Sequence, residues 1–230
     1  MKYYSQADED KYLYENLISL VPPKHQRYIE VGALDGVRYS NTKFLEDTLG
    51  WTGVLIEPNP VSFSKLSSNR PGNILSPCLI SNSTEELEYT YFENDNLAAV
   101  SGATSTLTQK NKDVFFENDD EWLIKARSSF LKTCVLESVS LDSVLKETKL
   151  DGFGFCSIDV EGHELQVLES FSFNIEISII LIEKNPHDNQ ILELMLSKGY
   201  SFFDSVAHND VFISRNYAEL LRNAQIQKVA

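Results

Sequence analysis

Cysteine is scarce in this chain, and its pattern excludes a disulfide framework. Three cysteines occur in 230 residues, Cys78, Cys134 and Cys156, and their wide spacing gives no C-x-x-C pair. An odd number of scattered thiols is typical of buried residues in a reducing compartment. The same spacing argues against a zinc site built from thiolates.

Long apolar runs and an excess of basic residues are also missing. No window holds ~18 consecutive apolar residues, and residues 1–8 lack the apolar core of a signal peptide. Twenty basic residues against 34 acidic ones give a formal charge of −14, which repels phosphate backbones and anionic membrane surfaces. We therefore expect a soluble, cytoplasmic protein that binds neither nucleic acid nor membranes.

The length and apolar content fit a single domain over residues 1–230. With 42% hydrophobic residues, the chain can bury one sizeable core without disulfides. An N-terminal helix is predicted at 5–21, because Ser5 precedes an acidic first turn and consecutive prolines, Pro22 and Pro23, prevent its continuation.

Apolar strands alternate with short amphipathic helices along most of the chain. Strands are predicted at 28–32, 53–57, 73–80, 87–92, 133–139, 153–159 and 177–183, and helices at 41–49, 61–66, 141–147, 162–171, 188–197 and from 216 onward. Parallel strands require such crossovers, which indicates a doubly wound, mostly parallel α/β sheet. Strands at 200–203 and 211–214 predict a closing antiparallel hairpin.

The middle of the chain lacks clear periodicity. Residues 93–132 are predicted to form an irregular insertion or lid, rich in polar residues but with aromatic Phe115, Phe116 and Trp122. A substrate-facing segment and a solvated insertion are both compatible with this pattern. Exposing those aromatics would be costly, which favours the former.

The run Tyr28 to Gly36 is predicted to be a buried strand that leads into a ligand-binding turn. Gly32 and Gly36 supply backbone freedom there. A turn that binds no ligand is the alternative. Three strands also end in acidic residues, Glu57, Asp159 and Glu183. Ligands of doubly wound sheets lie at the carboxyl ends of the strands, so these acids should meet at one edge.

The spacing favours a nucleoside ligand. Glu57 lies 21 residues after Gly36, where a carboxylate can accept hydrogen bonds from both ribose hydroxyls. Leu34 occupies the position at which a dinucleotide site needs glycine, which disfavours NAD. A nicotinamide oxidoreductase is therefore the least favoured of the functions considered. Val37 and Arg38 exclude a P-loop. An acid-G-x-x-x-G turn is instead typical of S-adenosylmethionine enzymes, in which the acid (here Glu30) meets the amino group and backbone amides meet the carboxylate.

Five segments resemble one family, the FkbM-type S-adenosylmethionine-dependent methyltransferases. They are YYSQADEDKYL (3–13), YIEVGALDG (28–36), GVLIEPNP (53–60), SLDSVL (140–145) and SIDVEGHELQVLESF (157–171). The resemblance implies a seven-stranded Rossmann-like methyltransferase sheet. It also implies S-adenosylmethionine as cofactor and methyl transfer to a hydroxyl of a sugar, glycan or small metabolite.

The resemblance also implies roles for individual residues. The cofactor's methionine end would be lined by Glu30, Gly32, Ala33, Asp35 and Gly36, and its ribose by Glu57. Asp159 would stand at the transfer site. By position alone, Ser81 and Asn82 are predicted near adenine and Gln6 over the cofactor. Residues 93–132 match no motif, so the acceptor stays open.

A hydroxyl acceptor needs a base, and two residues are candidates. Asp159 can orient or deprotonate the acceptor, and His163 is the better general base if its ring faces the cleft, since an ordinary imidazole titrates near neutrality. Alternatively, neither residue takes part in the chemistry: Asp159 only caps the start of a helix, and His163 lies on the surface of that helix's first turn.

Two further alternatives stay open. Asp159 and Glu183 could hold Mg²⁺, although Lys184 follows where a second acid would strengthen the site. The chain could also be a non-catalytic nucleoside-binding module of the same fold. The sequence does not determine the oligomeric state.

Overall fold

A computed structural model describes residues 1–184 and 188–229. The strands are β1 Arg27–Val31, β2 Thr52–Ile56, β3 Ile74–Ser76, β4 Leu79–Ile80, β5 Glu86–Phe92, β6 Gly102–Ala103, β7 Leu131–Val139, β8 Gly152–Ile158, β9 Glu176–Glu183, β10 Tyr200–Val206 and β11 Asn209–Ser214. The α-helices are α1 Glu9–Asn16, α2 Lys43–Leu49, α3 Pro60–Asn69, α4 Gln109–Lys112, α5 Glu121–Phe130, α6 Leu141–Thr148, α7 Glu164–Glu169, α8 Asp188–Ser197 and α9 Arg215–Val229.

The main sheet has seven strands in the order β10-β11-β9-β8-β1-β2-β3. From β3 to β9 neighbouring strands are parallel, and β11 and β10 close the sheet as an antiparallel hairpin. The predicted Rossmann-like methyltransferase fold is confirmed. The order reverses between β1 and β8, the point at which doubly wound sheets bind ligands.

Helices cover both faces of this sheet, which explains the nearly continuous apolar runs in its strands. Ile29 of β1 belongs to a core that includes side chains of α6, α7 and α8. Its neighbour Tyr28 belongs to the opposite core, with side chains of α1, α2, α3 and α9. The alternation of successive side chains between faces fixes the register of β1.

A second, four-stranded sheet has the order β4-β7-β5-β6. The prediction of a single strand at 73–80 is wrong, because this stretch forms two strands in different sheets. β3 stays in the main sheet, and β4 pairs with β7. Pro77 lies between them. Proline has no N–H to donate, so it interrupts a strand and lets the chain change sheets.

The middle of the chain is more regular than predicted. Residues 93–132 contain a 3-10 turn at Ala98–Val100, α4, a π-helix at Asp113–Glu117, and α5. These short helices bury their own apolar cluster, comprising Phe92, Leu97, Leu107, Phe115, Leu123 and Ala126. Phe116 and Trp122 are 52% and 58% exposed, so the expectation that the aromatics are covered holds only for Phe115.

The N-terminal helix is shorter than the predicted 5–21. The α-helix ends at Asn16, and a 3-10 turn follows at Ile18–Leu20. Asp8, with φ 64°, occupies the cap position, but Ser5 serves the first turn from further upstream: its hydroxyl accepts from the Asp10 amide at 3.2 Å and donates to Asp10 Oδ1 at 2.7 Å. Asp10 also accepts from the Tyr4 amide at 2.7 Å, which ties residues 4–8 into a turn ahead of the helix.

The helix predicted at 162–171 begins later, at Glu164. Glu161 and Gly162 both have positive φ, 58° and 108°, which is incompatible with a right-handed helix. Glu164 accepts hydrogen bonds from the amides of Val160 and Gly162 at 3.0 and 3.1 Å. Within the described ranges, the helices are all too short or too polar to cross a membrane.

Candidate active site

A cavity of about 600 Å³ opens at the carboxyl ends of the central strands. Its walls come from the loops after β1, β2, β8 and β9, from the start of α1, and from residues 96–110 of the middle segment. The volume lies within the usual range of ligand sites. Of the predicted residues, the lining includes Gln6, Glu30, Gly32, Ala33, Glu57, Asp159, His163 and Glu183.

Gly32 allows the ends of β1 and β8 to meet. It has φ +86°, and a Cβ added there would lie 1.8 Å from the carbonyl oxygen of Asp159. Gly36 has φ +77°, and its Cβ would lie 2.5 Å from Leu66 Cδ1. Both glycines of the turn therefore permit close packing within the protein as well as left-handed backbone.

Most amides of this turn are already used, although that of Asp35 has no acceptor among the described residues. Asp35 Oδ1 accepts from the amides of Val37 and Arg38 at 2.9 and 2.8 Å, so Asp35 stabilises the turn and lies outside the cavity lining. The amides of Gly32 and Ala33 both donate to Ile56 O. The Leu34 amide donates to Glu57 Oε2, and the Gly36 amide donates to Ala33 O. This arrangement makes the turn rigid.

Glu30 holds the next part of the loop. Its Oε1 accepts from the Asn41 amide at 2.8 Å, and its Oε2 from the hydroxyls of Ser40 and Thr42 at 2.9 and 2.7 Å. The Arg70 guanidinium lies 4.0 Å away. Burial raises the pKa of Glu30, and Arg70 and the hydrogen bonds oppose that rise. The loop thus takes its shape from Glu30.

Glu57 presents a buried carboxyl group at the end of β2. Its two oxygens accept from the amides of Leu34 and Asn59 at 2.7 and 2.8 Å. Burial raises its pKa to about 7. Tyr89, which sequence reasoning missed, also lines the cavity and is 3% exposed. It comes from β5 in the second sheet, and no local pattern marks it as a site residue.

Acidic side chains gather at the ends of β8 and β9. Ile158 pairs with Ile182, so Asp159 and Glu183 are neighbours, with carboxylate oxygens within 4.8 Å of each other. Burial raises both pKa values, and the charge of Asp159 contributes to raising that of Glu183 to about 10. Glu161, also missed, has its pKa raised to about 8 by burial and by Asp159.

One further acid, Glu9, reaches this end of the cavity from α1. It is 3% exposed and accepts from Asn209 Nδ2 at 3.1 Å. Sequence reasoning had placed it only in an acidic first turn. Among the described residues, Asp159, Glu164 and Glu183 each offer a carboxylate oxygen within 4.8 Å of the others, which is close enough to hold one metal ion.

His163 is a buried residue of the cavity wall and not a surface residue of the helix. It lines the cavity but is 3% exposed, and its Nδ1 lies 2.9 Å from Thr106 Oγ1. Burial lowers its pKa to about 4. The imidazole is therefore neutral at pH 7 and a weaker proton acceptor than the sequence suggested.

Two predicted adenine-side residues do not line the cavity. The Ser81 amide donates to Val139 O at 3.0 Å, and Asn82 Nδ2 donates to Glu169 at 2.6 Å. Because β4 belongs to the second sheet, these residues continue that sheet. The preceding residues, Cys78, Leu79 and Ile80, line the cavity instead. Gly36 also lies outside the lining.

Comparison with known protein families decides what this cavity belongs to. The model of the methyltransferase FkbM domain matches residues 30–202, about three quarters of the chain. The chain belongs to the FkbM methyltransferase family. The match includes the glycine turn, Glu57, Asp159, His163 and Glu183. No match is found among the curated proteins. The cavity is accordingly the candidate active site of a methyltransferase.

Proposed function

We propose that the protein is an S-adenosylmethionine-dependent O-methyltransferase that acts on a hydroxyl of a glycan or small metabolite. The observation that carries the proposal is the distribution of acidic side chains along one sheet edge. Glu57 ends β2, and Asp159 and Glu183 end β8 and β9 on the other side of β1. This separates a nucleoside subsite from a subsite for acid–base chemistry.

The donors and acceptors of the cavity suit this cofactor. When bound, S-adenosylmethionine supplies an electrophilic methyl group on a cationic sulfonium. Glu57 would accept hydrogen bonds from the ribose hydroxyls, and Leu79 and Ile80 offer apolar surface for the base. Gly32 and Ala33 would line the methionine part, and Gln6 would cover it. The surplus of carboxyl groups favours a ligand with positive charge.

Asp159 is proposed as the base that takes the proton from the acceptor hydroxyl. The proton passes from the acceptor oxygen to a carboxylate oxygen of Asp159 as that acceptor oxygen gains a methyl group. The raised pKa of Asp159 supports this role, because a higher pKa makes its carboxylate a stronger proton acceptor. Protonated Glu183, whose carboxyl oxygen lies within 4.8 Å of that of Asp159, is proposed to donate a hydrogen bond to Asp159 and so to hold the carboxylate in place.

A divalent cation at Asp159 and Glu183 is the competing arrangement. The oxygen ligands are close enough, but acids with raised pKa values must lose their protons before they bind a metal. Turnover after dialysis against EDTA distinguishes the two. Full activity without added Mg²⁺ supports the proton-accepting pair, and activity restored only by Mg²⁺ supports the metal.

We also propose that residues 1–230 act as one cytoplasmic domain in which 93–132 is a lid. Ala98, Ser101 and Lys110 line the cavity from that segment, which supports a role in covering the ligand. The three cysteines are unpaired, in keeping with a reducing compartment.

Calorimetric titration with S-adenosylmethionine tests the proposal. The protein is expected to bind one equivalent, and Glu57→Gln is expected to weaken binding about tenfold or more. Glu137→Gln, at an exposed position on β7, is the matched control and should leave binding unchanged. Absence of binding by the intact protein would refute the proposal. Binding without turnover over a panel of sugars would favour the non-catalytic module.

A further inference from the structure

Two buried side-chain atoms in the loop 37–42 lack a hydrogen-bond partner among the described residues. They are Nε of Arg38 and Oδ1 of Asn41. Both residues line the cavity, and Asn41 is 7% exposed. One atom is a donor on a cation and the other is an acceptor. Buried polar groups in folded proteins are nearly always paired, so such atoms at a cavity wall indicate a ligand that completes them.

Asn41 is fixed in position by the protein itself. Its amide N donates to Glu30 Oε1 at 2.8 Å, and its Nδ2 donates to Ser157 Oγ at 2.9 Å. Glu30 and Ser157 pair across β1 and β8. Asn41 therefore stands above the junction of these strands, on the side of β1 away from Glu57 and next to the strand that leads to Asp159.

Arg38 carries a positive charge on the same loop, and after Lys65 it contributes to lowering the pKa of Asp95. Within the described ranges the guanidinium forms no ion pair, and its Cζ lies 5.4 Å from the ring centroid of Tyr39. A guanidinium in such a place binds carboxylates well, because its planar N–H groups match the two oxygens.

The groups expected to meet an amino acid at this turn are otherwise occupied. Glu30 already accepts from the backbone of Asn41 and from two hydroxyls. The amides of residues 32–34 and 36–38 donate to acceptors within the protein. Among the described residues the Asp35 amide is the one donor of the turn without an acceptor, so the ammonium and most of the carboxylate of a bound methionine group need other partners.

We propose that Arg38 and Asn41 together recognise the amino-acid end of the cofactor. Asn41 Oδ1 accepts a hydrogen bond from the α-ammonium group, and the Arg38 guanidinium binds the α-carboxylate. The inference rests on the proposed use of S-adenosylmethionine. It makes Glu30 a positioning residue, which acts through the shape of the loop.

Three ligands and two variants test this assignment by calorimetry. The ligands are S-adenosylhomocysteine, its analogue with 4-sulfanylbutanoate in place of homocysteine, which lacks the amine, and its analogue with 3-sulfanylpropylamine, which lacks the carboxylate. Arg38→Met should weaken S-adenosylhomocysteine about tenfold or more and change the carboxylate-free analogue less than about twofold. Asn41→Leu should likewise weaken S-adenosylhomocysteine about tenfold or more and change the amine-free analogue less than about twofold.

The outcomes separate this inference from the proposed function. If a variant weakens all three ligands equally, or none, the assignment of that residue is wrong even though the cofactor binds. If the wild-type protein binds none of the ligands, the proposed function itself fails. Should Asn41→Leu not fold, Asn41→Asp retains acceptor oxygens and should keep the preference for the amine. Loss of that preference would overturn the role of Asn41.

Discussion

The carboxyl groups of Asp159 and Glu183 lie side by side in the wall of the cavity, with a carboxylate oxygen of each within 4.8 Å of the other. Parallel pairing of β8 with β9 brings them together. Two partly buried acids this close cannot both ionise easily, so the pair holds one proton near neutral pH. The pair therefore loses its protons in two steps, and the second lies near the raised pKa of Glu183, about 10.

Replacing Asp159 by asparagine should reduce methyl transfer about 100-fold or more, because the variant cannot accept the acceptor's proton. Cofactor affinity should change little. Release of S-adenosylhomocysteine in the presence of the best acceptor from a sugar panel measures the rate. Asp151→Asn, at an exposed position before β8, is the control. An undiminished rate in Asp159→Asn would remove Asp159 from the mechanism.

Replacing Glu183 by glutamine should be far milder at pH 7. The glutamine amide can donate to Asp159 as the protonated glutamic acid does, whereas Glu183→Leu removes that donor. We expect Glu183→Gln to keep most of the rate and Glu183→Leu to lose about tenfold or more. The same rate assay applies. Equal losses in the two variants would show that the ionised form of Glu183 is the one required.

His163 should titrate near pH 4 in the folded protein. Its folded pKa of about 4 lies below the ordinary 6.5. As the pH falls, the imidazole therefore takes up a proton in the unfolded chain before it does so in the folded protein. This residue's contribution to stability is therefore complete above pH 6.5 and is lost as the pH falls toward 4. Nitrogen chemical shifts of the imidazole measure the midpoint. A midpoint between 6 and 7 would restore His163 as a candidate base.

Cofactor binding should release protons at pH 7. Burial raises the pKa of Glu57 to about 7, so its carboxyl group is about half protonated without ligand. Hydrogen bonds from ribose hydroxyls favour the carboxylate and drive the proton off. Calorimetry in buffers of different ionisation enthalpy counts the protons. Glu57→Gln should release fewer, and equal release by both proteins would place the ribose elsewhere.

Gly32→Ala should destabilise the protein severely. Its Cβ would meet the Asp159 carbonyl oxygen at 1.8 Å, and φ is +86°. Gly50 also has positive φ, 70°, but open space around it, so Gly50→Ala should cost only about 1–2 kcal/mol. Urea unfolding compares the two. Similar losses would mean that backbone conformation matters and the contact between strand ends does not.

Much of the fold could be predicted from local patterns. Apolar runs ending in acids located β2 and β9, with Glu57 and Glu183 at their ends, because strands buried on both faces must be apolar until they reach the edge. The alternation of these strands with helices then predicted that the strands pair in parallel. The middle segment was harder, since its apolar residues are spread over short helices that no single period describes.

The site could be predicted only in part, since burial depends on contacts distant in sequence. The sequence does not reveal the burial of His163, which lowers the pKa of its imidazole and makes it a weaker proton acceptor than an exposed histidine. Tyr89 and Glu9 reach the cavity from the second sheet and from α1, and no local motif marks either. The partnerless atoms of Arg38 and Asn41 become evident only when the surrounding hydrogen bonds are known.

A crystal structure with bound S-adenosylhomocysteine would show whether this cavity is the cofactor site. The ribose hydroxyls are expected within hydrogen-bond distance of Glu57, and the sulfur is expected to face Asp159. Ligand bound outside this cavity, or with its ribose remote from Glu57, would refute the proposed cofactor site.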